Sequence, residues 1–441
     1  MPLLEAQIYS WLHQLDDQTS DAAAAAVASI KPIPEQRQTS QSRKRHWPLT
    51  PVSSSDMEAP SKRRREDLAS LSTSASTSAS VSGSEMDIEA TPRQPKTFRP
   101  NLPARTSSQR SNVSSSRLSP KKQLADRQNK PWPILVRQYG PDEADLPSSL
   151  RQLWKDLARY SRGTKVIAKS AEEEITAAKA TSPHLDTIEP WYYDDTATRD
   201  GLGASPPVTQ VLSLLADAKV CSNEGFCEAS WNMTVHREVL KLAVRQYTPT
   251  SEEEVFFIPC PTAKIMDMYT DTRGPSRKVD FCMLIEPQGP AADAIRAIQY
   301  QDNLFSQSLN HTDYQPLRRR PIALSIETKA PGEGINDAQS QLLVWLEAQW
   351  RVLERLSNRV DPSVLLPEFL PGVIVEGHQW YLVASTKSKT ETILWMKQLI
   401  GTTEEAIGIY SIVCALQYLA HWIRTVYWPA FKRFLSLSPL T

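Results

Sequence analysis

The feature that most constrains this chain is an apolar strand pattern that ends in charge. Residues 322–328 are mostly apolar or β-branched and run into Lys329, Ala330, Pro331 and Gly332, which predicts a buried strand closed by a turn. Glu327 and Lys329 stand two residues apart and therefore share one face of the sheet. A carboxylate and an ammonium at such a place are costly unless they pair or hold a metal. Beyond the turn, Asn336 and Asp337 are candidate helix caps. Leu342, Trp345, Leu346, Leu353 and Leu356 then recur at helical spacing, with Gln349 as the polar exception.

A second apolar run, 279–285, carries one carboxylate, Asp280. An Asp on one strand beside a Glu-x-Lys on its neighbour can share a divalent cation while the lysine orients or polarises a water. Upstream stands E-A-S-W-N-x-x-V-H, from Glu228 to His236, and downstream Q-L-x-x-W, from Gln341 to Trp345. The D…ExK pattern resembles the PD-(D/E)XK nuclease superfamily. With its flanking words, it resembles the fungal PD-(D/E)XK nuclease-like domain proteins over roughly the last two-thirds of the chain.

The resemblance implies an α/β fold with a mixed sheet, a restriction-endonuclease-like αβββαβ core carrying extra helices. It also implies a metal-dependent nuclease that hydrolyses phosphodiester bonds of DNA or RNA. The implied catalytic set is Asp280, Glu327, Lys329, Gln341 and Glu228. Of these, Asp280, Glu327 and Glu228 would bind Mg²⁺ or Mn²⁺, while Lys329 positions water. Glu238 is the runner-up to Glu228, and Gln339 the alternative to Gln341. Asn232 and His236 follow Glu228 at helical spacing, a polar stripe that can bind ligands or simply hydrogen-bond to nearby loops.

Charge divides the chain in two. Residues 1–130 carry 19 Lys+Arg against 13 Asp+Glu, a net of +6, and the remaining residues carry −6. An acidic body is a poor non-specific DNA-binding module, since that binding runs on phosphate neutralisation. It is tolerable in a metal nuclease, and it also suits a second reading, a catalytically inactive nuclease-fold nuclear scaffold. The leader, 1–130, is rich in Ser, Pro and basic residues, with serine at every second position from Ser72 to Ser84. Such composition predicts disorder, apart from a short amphipathic helix at 2–16. Residues 131–441 form the nuclease-like domain. The basic clusters at 43–45 and 62–65 predict capture by a nuclear import receptor and a nuclear location; without import the chain would stay cytoplasmic.

The five cysteines form no CxxC pair and no zinc-ligand spacing, which predicts free thiols. Residues 406–423 lack formal charge but contain Ser411, Gln417 and His421; a buried core helix is expected there, with no membrane span. Helices are expected at 146–158 and 165–180, with two more between 207 and 245. A strand is expected at 255–258, and a hairpin turning at 376–379. Arg318, Arg319 and Arg320, at the far end of the Glu327 strand, can hold flanking nucleic-acid backbone or simply solvate a strand edge.

Overall fold

The computed structural model describes residues 132–436, apart from 142, 247–253, 271–277, 304, 306 and 362, together with 125, 128 and 129. The helix at 2–16, the serine-rich stretch and the basic clusters at 43–45 and 62–65 lie outside the described residues.

The chain enters the fold as β1 (Ile134–Gln138) and α1 (Ser148–Tyr160). A small parallel pair, β2 (Ile167–Ala168) and β3 (Tyr193–Asp194), brackets α2 (Glu172–Lys179). The helix expected at 165–180 is therefore shorter than its pattern. Val166, Ile167 and Ala168 are buried, and the last two pair with β3 as a strand. Next come α3 (Thr198–Leu202), α4 (Val208–Asn223) and α5 (Glu228–Trp231). A π-helical turn, Asn232–His236, joins α5 to α6 (Arg237–Ala243). Such turns insert an extra residue into the helical ladder and change which side chains share a face.

The core follows: β4 (Arg245–Gln246), β5 (Val255–Pro259), β6 (Phe281–Ile285), α7 (Gly289–Gln301), β7 (Ile322–Lys329), α8 (Ile335–Val360), β8 (Leu370–Glu376), β9 (Gln379–Lys387) and β10 (Thr392–Thr402). These strands form one mixed sheet in the order β1-β10-β9-β8-β7-β6-β5-β4. Pairing is parallel for β7–β8, β1–β10 and β4–β5 and antiparallel elsewhere. From α5 to β8 the order is helix, three main strands, helix, strand, as expected, with two-residue β4 and the α7 insertion added. Two further strands and β1 extend the sheet beyond β8.

Every residue of β7 is buried, which accounts for its unbroken apolar pattern. Helix α8 packs on β7, β8 and β9 through the predicted leucines and Trp345, joined by Trp350. Its polar exception is explained: Gln349 is buried and donates Nε2–H to the Ile322 carbonyl at 2.7 Å. Trp345 and Trp350 likewise send their indole N–H groups to Ser325 and Ser385 on the strands beneath, at 2.9 and 3.0 Å. Buried indoles need such partners. The helix starts at Ile335 after Gly334, with neither Asn336 nor Asp337 capping it. Gly334 has φ 99°, a left-handed conformation that glycine adopts without steric cost, and this backbone sets the entry in place of a side-chain cap.

Helix α9 (Ala406–Trp422) continues through a second π turn into α10 (Trp428–Phe434). This combined helix is long and apolar enough to cross a membrane, but its most apolar window is 83% buried within the protein. It is the expected core helix, packed against β10, α1, α4 and α6. All five cysteines are free thiols, and only Cys227 is exposed.

Candidate active site

Strand β7 delivers two functional side chains at its C-terminal end. Glu327 and Lys329 do share a face: Lys329 Nζ donates to Glu327 Oε1 at 2.6 Å. The same ammonium donates to Glu228 Oε2 at 3.0 Å and to the Thr328 carbonyl at 2.7 Å. Its three protons thus have three acceptors. Glu228 comes from the first turn of α5, about a hundred residues earlier in the chain. Helix and strand ends therefore meet at one charged point.

Asp280 lies immediately before β6 rather than inside it. Its backbone is still held as an edge of the ladder, with its N–H on the Ile326 carbonyl at 3.0 Å and its carbonyl receiving Cys260 N–H at 2.7 Å. Its Oδ2 accepts both the N–H and the hydroxyl of Thr328, each at 2.9 Å. That hydroxyl also lies 2.7 Å from Asn232 Oδ1. Asn232 in turn sits 2.9 Å from His236 Nδ1, and His236 Nε2 lies 2.9 Å from the Gly377 carbonyl in the β8–β9 turn. The polar stripe of α5 and its π turn is therefore the support of Asp280 on one side and of a loop on the other. Thr328 was invisible as a functional residue, because a β-branched residue in an apolar run is already explained as strand former.

Burial sets the electrostatics. Glu327 is 2% exposed, and burial, reinforced by the charge of Asp280, pushes its pKa up to about 8 despite Lys329. Burial also raises Asp280, opposed by its Thr328 hydrogen bonds. It raises Glu228 too, opposed by Lys329, with Asp280 and Glu333 adding repulsion. Burial pulls Lys329 downward, but Glu327 and Glu228 outweigh it and hold the lysine above its ordinary value. Three carboxyl groups therefore press on one ammonium, and burial with mutual repulsion makes Glu327 hold its proton to higher pH than an ordinary carboxyl does.

The remaining expected residues separate. Glu238 is half-buried and pairs with Lys241 and Arg237, and it takes none of the three Lys329 hydrogen bonds. Gln341 and Gln339 lie half-buried on α8; neither takes any of the three Lys329 hydrogen bonds.

The donor set bears on a metal directly. Asp280, Glu327 and Glu228 offer oxygen only, the chemistry of a hard cation, and exceed the charge of Lys329 by two when ionised. Among the described residues, however, no group of three or more His, Cys, Asp or Glu is gathered closely enough to hold a metal. The centre is thus no closed carboxylate cage. Oxygen donors of this type are what a cation of the Mg²⁺ kind takes, commonly one or two carboxylates with several waters kept.

A family model described as the PD-(D/E)XK nuclease superfamily matches residues 177–428, more than half of the chain and a span that includes Glu228, Asp280, Glu327, Lys329 and Gln341. No curated protein and no solved structure matches the chain. The family match, the helix-strand-helix order and the Asp…Glu-x-Lys geometry agree, and the chain belongs to the PD-(D/E)XK nuclease superfamily.

Proposed function

We propose that this chain is a divalent-cation-dependent phosphodiesterase acting on nucleic acid, either DNA or RNA. The observation that carries the reading is the meeting of Glu228 and Glu327 on Lys329 Nζ, with Asp280 close enough for its charge to act on Glu327. Asp280 and Glu327, joined by Glu228, are the residues to hold Mg²⁺ or Mn²⁺. Once bound, such an ion supplies Lewis acidity at a phosphoryl oxygen and makes a water more acidic.

The chain's own groups do the rest. Glu327 would hold the cation as its carboxylate, its proton having left to solvent, and Thr328 keeps Asp280 oriented. Lys329 exchanges one of its present acceptors for the attacking water or for a phosphate oxygen that gains charge. Gln341 serves as an amide donor to the lysine or to a phosphate oxygen.

Single-turnover cleavage of mixed DNA and RNA substrates in Mn²⁺ tests this. Wild type should cleave. Glu327→Ala should lose both cleavage and the cation-induced rise in thermal midpoint, whereas Lys329→Ala should lose cleavage and keep the rise. No cleavage and no cation effect in wild type would identify the cluster as a structural ion pair.

One observation favours a second reading, a non-catalytic nuclease-fold scaffold: no three-donor metal group exists among the described residues. Cation binding without cleavage would select it. Under either reading we place the protein in the nucleus through an import receptor that takes the basic clusters at 43–45 and 62–65. Replacing both clusters with alanine should redistribute the protein to the cytoplasm, and unchanged location would refute the assignment.

A further inference from the structure

At the opposite end of β7 from Glu327 lies a cavity of about 430 Å³, walled by α7 and by the segment leading into the strand. Arg296, Gln299, Gln315, Arg318, Arg319 and Arg320 contribute to its lining, with Glu286 as the one acid there among the described residues. The body as a whole is acidic, so four guanidinium groups around one polar cavity stand against the background.

Their charges are not all spent. Arg320 pairs with Glu286, and Arg296 with Asp293. Arg318 uses Nε on the Asp313 carbonyl at 2.7 Å, and Arg319 uses Nε on Gln299 Oε1 at 3.2 Å. Neither Arg318 nor Arg319 meets a carboxylate among the described residues. Two positive charges and their terminal N–H groups are thus left to the cavity.

The wall that carries them is fixed from behind. Asn310 is buried, donates to the Leu317 and Arg320 carbonyls, and accepts the Ile322 N–H at 3.2 Å. The Arg318 carbonyl receives both Leu309 N–H at 2.8 Å and Gln299 Nε2–H at 3.2 Å. The arginine segment is therefore held in place before any ligand arrives, which lowers the ordering cost of binding.

We infer that this cavity is a phosphate-binding site separate from the carboxylate centre. Arginine forks match the oxygens of a phosphate in bidentate fashion, and the glutamine amides add neutral donors for the oxygens that remain. The volume suits a small phosphorylated molecule. Glu327 lies seven positions along the chain from Arg320, at about 3.3 Å per residue of strand, so the two sites do not share one phosphate. The inference does not depend on nuclease activity. The phosphate can belong to a free phosphorylated molecule or to the backbone of a polynucleotide.

Pyrophosphate is the probe, titrated into the full chain at low ionic strength by calorimetry. Wild type and Lys329→Ala should bind alike, and Arg318→Gln/Arg319→Gln should bind about tenfold more weakly or worse, as loss of a charge-assisted contact requires. The single Arg319→Gln variant, which alters an exposed side chain, repeats the comparison if the double variant unfolds. An oligonucleotide without terminal phosphate distinguishes the sources. Displacement of pyrophosphate assigns the site to a polynucleotide backbone, and failure to displace assigns it to a free phosphorylated molecule. No pyrophosphate binding, equal binding by the arginine variants, or loss confined to Lys329→Ala would overturn the inference.

Discussion

Asn232 and Thr328, 96 residues apart, meet through a 2.7 Å contact between an amide oxygen and a hydroxyl. The same hydroxyl lies 2.9 Å from Asp280, so one side chain on the motif strand joins the early helix to the acid beside the neighbouring strand. A hydroxyl proton serves one acceptor at a time, which makes Thr328 a shared donor between support and site.

Thr328→Val keeps the shape of the side chain and removes that donor. It should cost about 1–2 kcal/mol in urea unfolding, the range for stripping a buried hydrogen-bond partner, with Thr328→Ser recovering most of the loss. Asp280 keeps the Thr328 N–H, so the fold should survive. An unchanged urea midpoint in Thr328→Val would mean the link contributes nothing.

His311 is buried, with neither ring nitrogen partnered among the described residues, and its ring meets Trp345 edge-on at 4.3 Å between centroids. Burial lowers its pKa from 6.5 to about 3. The unfolded chain therefore takes up a proton between these values while the folded chain does not, and stability falls as pH drops from about 6.5 toward 3. His311→Phe should flatten that acid limb in thermal melts between pH 7.5 and 5. A limb as steep as that of wild type would assign the loss to other groups.

Gly408, on α9, faces the end of β10 so closely that an added Cβ would lie 2.1 Å from the Thr402 carbonyl. Gly408→Ala should therefore destabilise by about 1–3 kcal/mol through overpacking. Gly201 has open space at the same position, and alanine there should leave stability unchanged or improve it slightly. Equal effects of the two substitutions in denaturant unfolding would show that the helix shifts away from β10 at no cost.

The parts that sequence made legible are those governed by short periods. Spacing of two put Glu327 and Lys329 on one face, and helical spacing marked the buried side of α8, including where Gln349 broke it. What stayed hidden depends on distant partners. β1 is half-buried and joins the sheet only through β10, more than 250 residues later in the chain. Ile167 and Ala168 read as part of a helix, but they pair with β3 as a strand. Asn336 and Asp337 looked like caps, but backbone freedom at Gly334 set the helix start.

Glu327 makes the carboxylate centre testable without any substrate. Its pKa rises from 4.5 to about 8 on folding, by burial first and by the charge of Asp280 second. The folded chain thus binds this proton more tightly than the unfolded chain. Its contribution to stability is complete below about pH 4.5 and is lost as pH rises through about 8. Glu327→Gln, which cannot ionise, should remove that part of the alkaline decline in thermal midpoint. A divalent cation competes with the same proton. The rise in midpoint caused by a fixed Mn²⁺ concentration should therefore be small near pH 6, grow toward pH 8 and be absent in Glu327→Gln. Calorimetric scans from pH 5.5 to 9, with and without Mn²⁺, read both effects together. A cation-induced rise that is independent of pH, or that persists in Glu327→Gln, would place the ion away from Glu327.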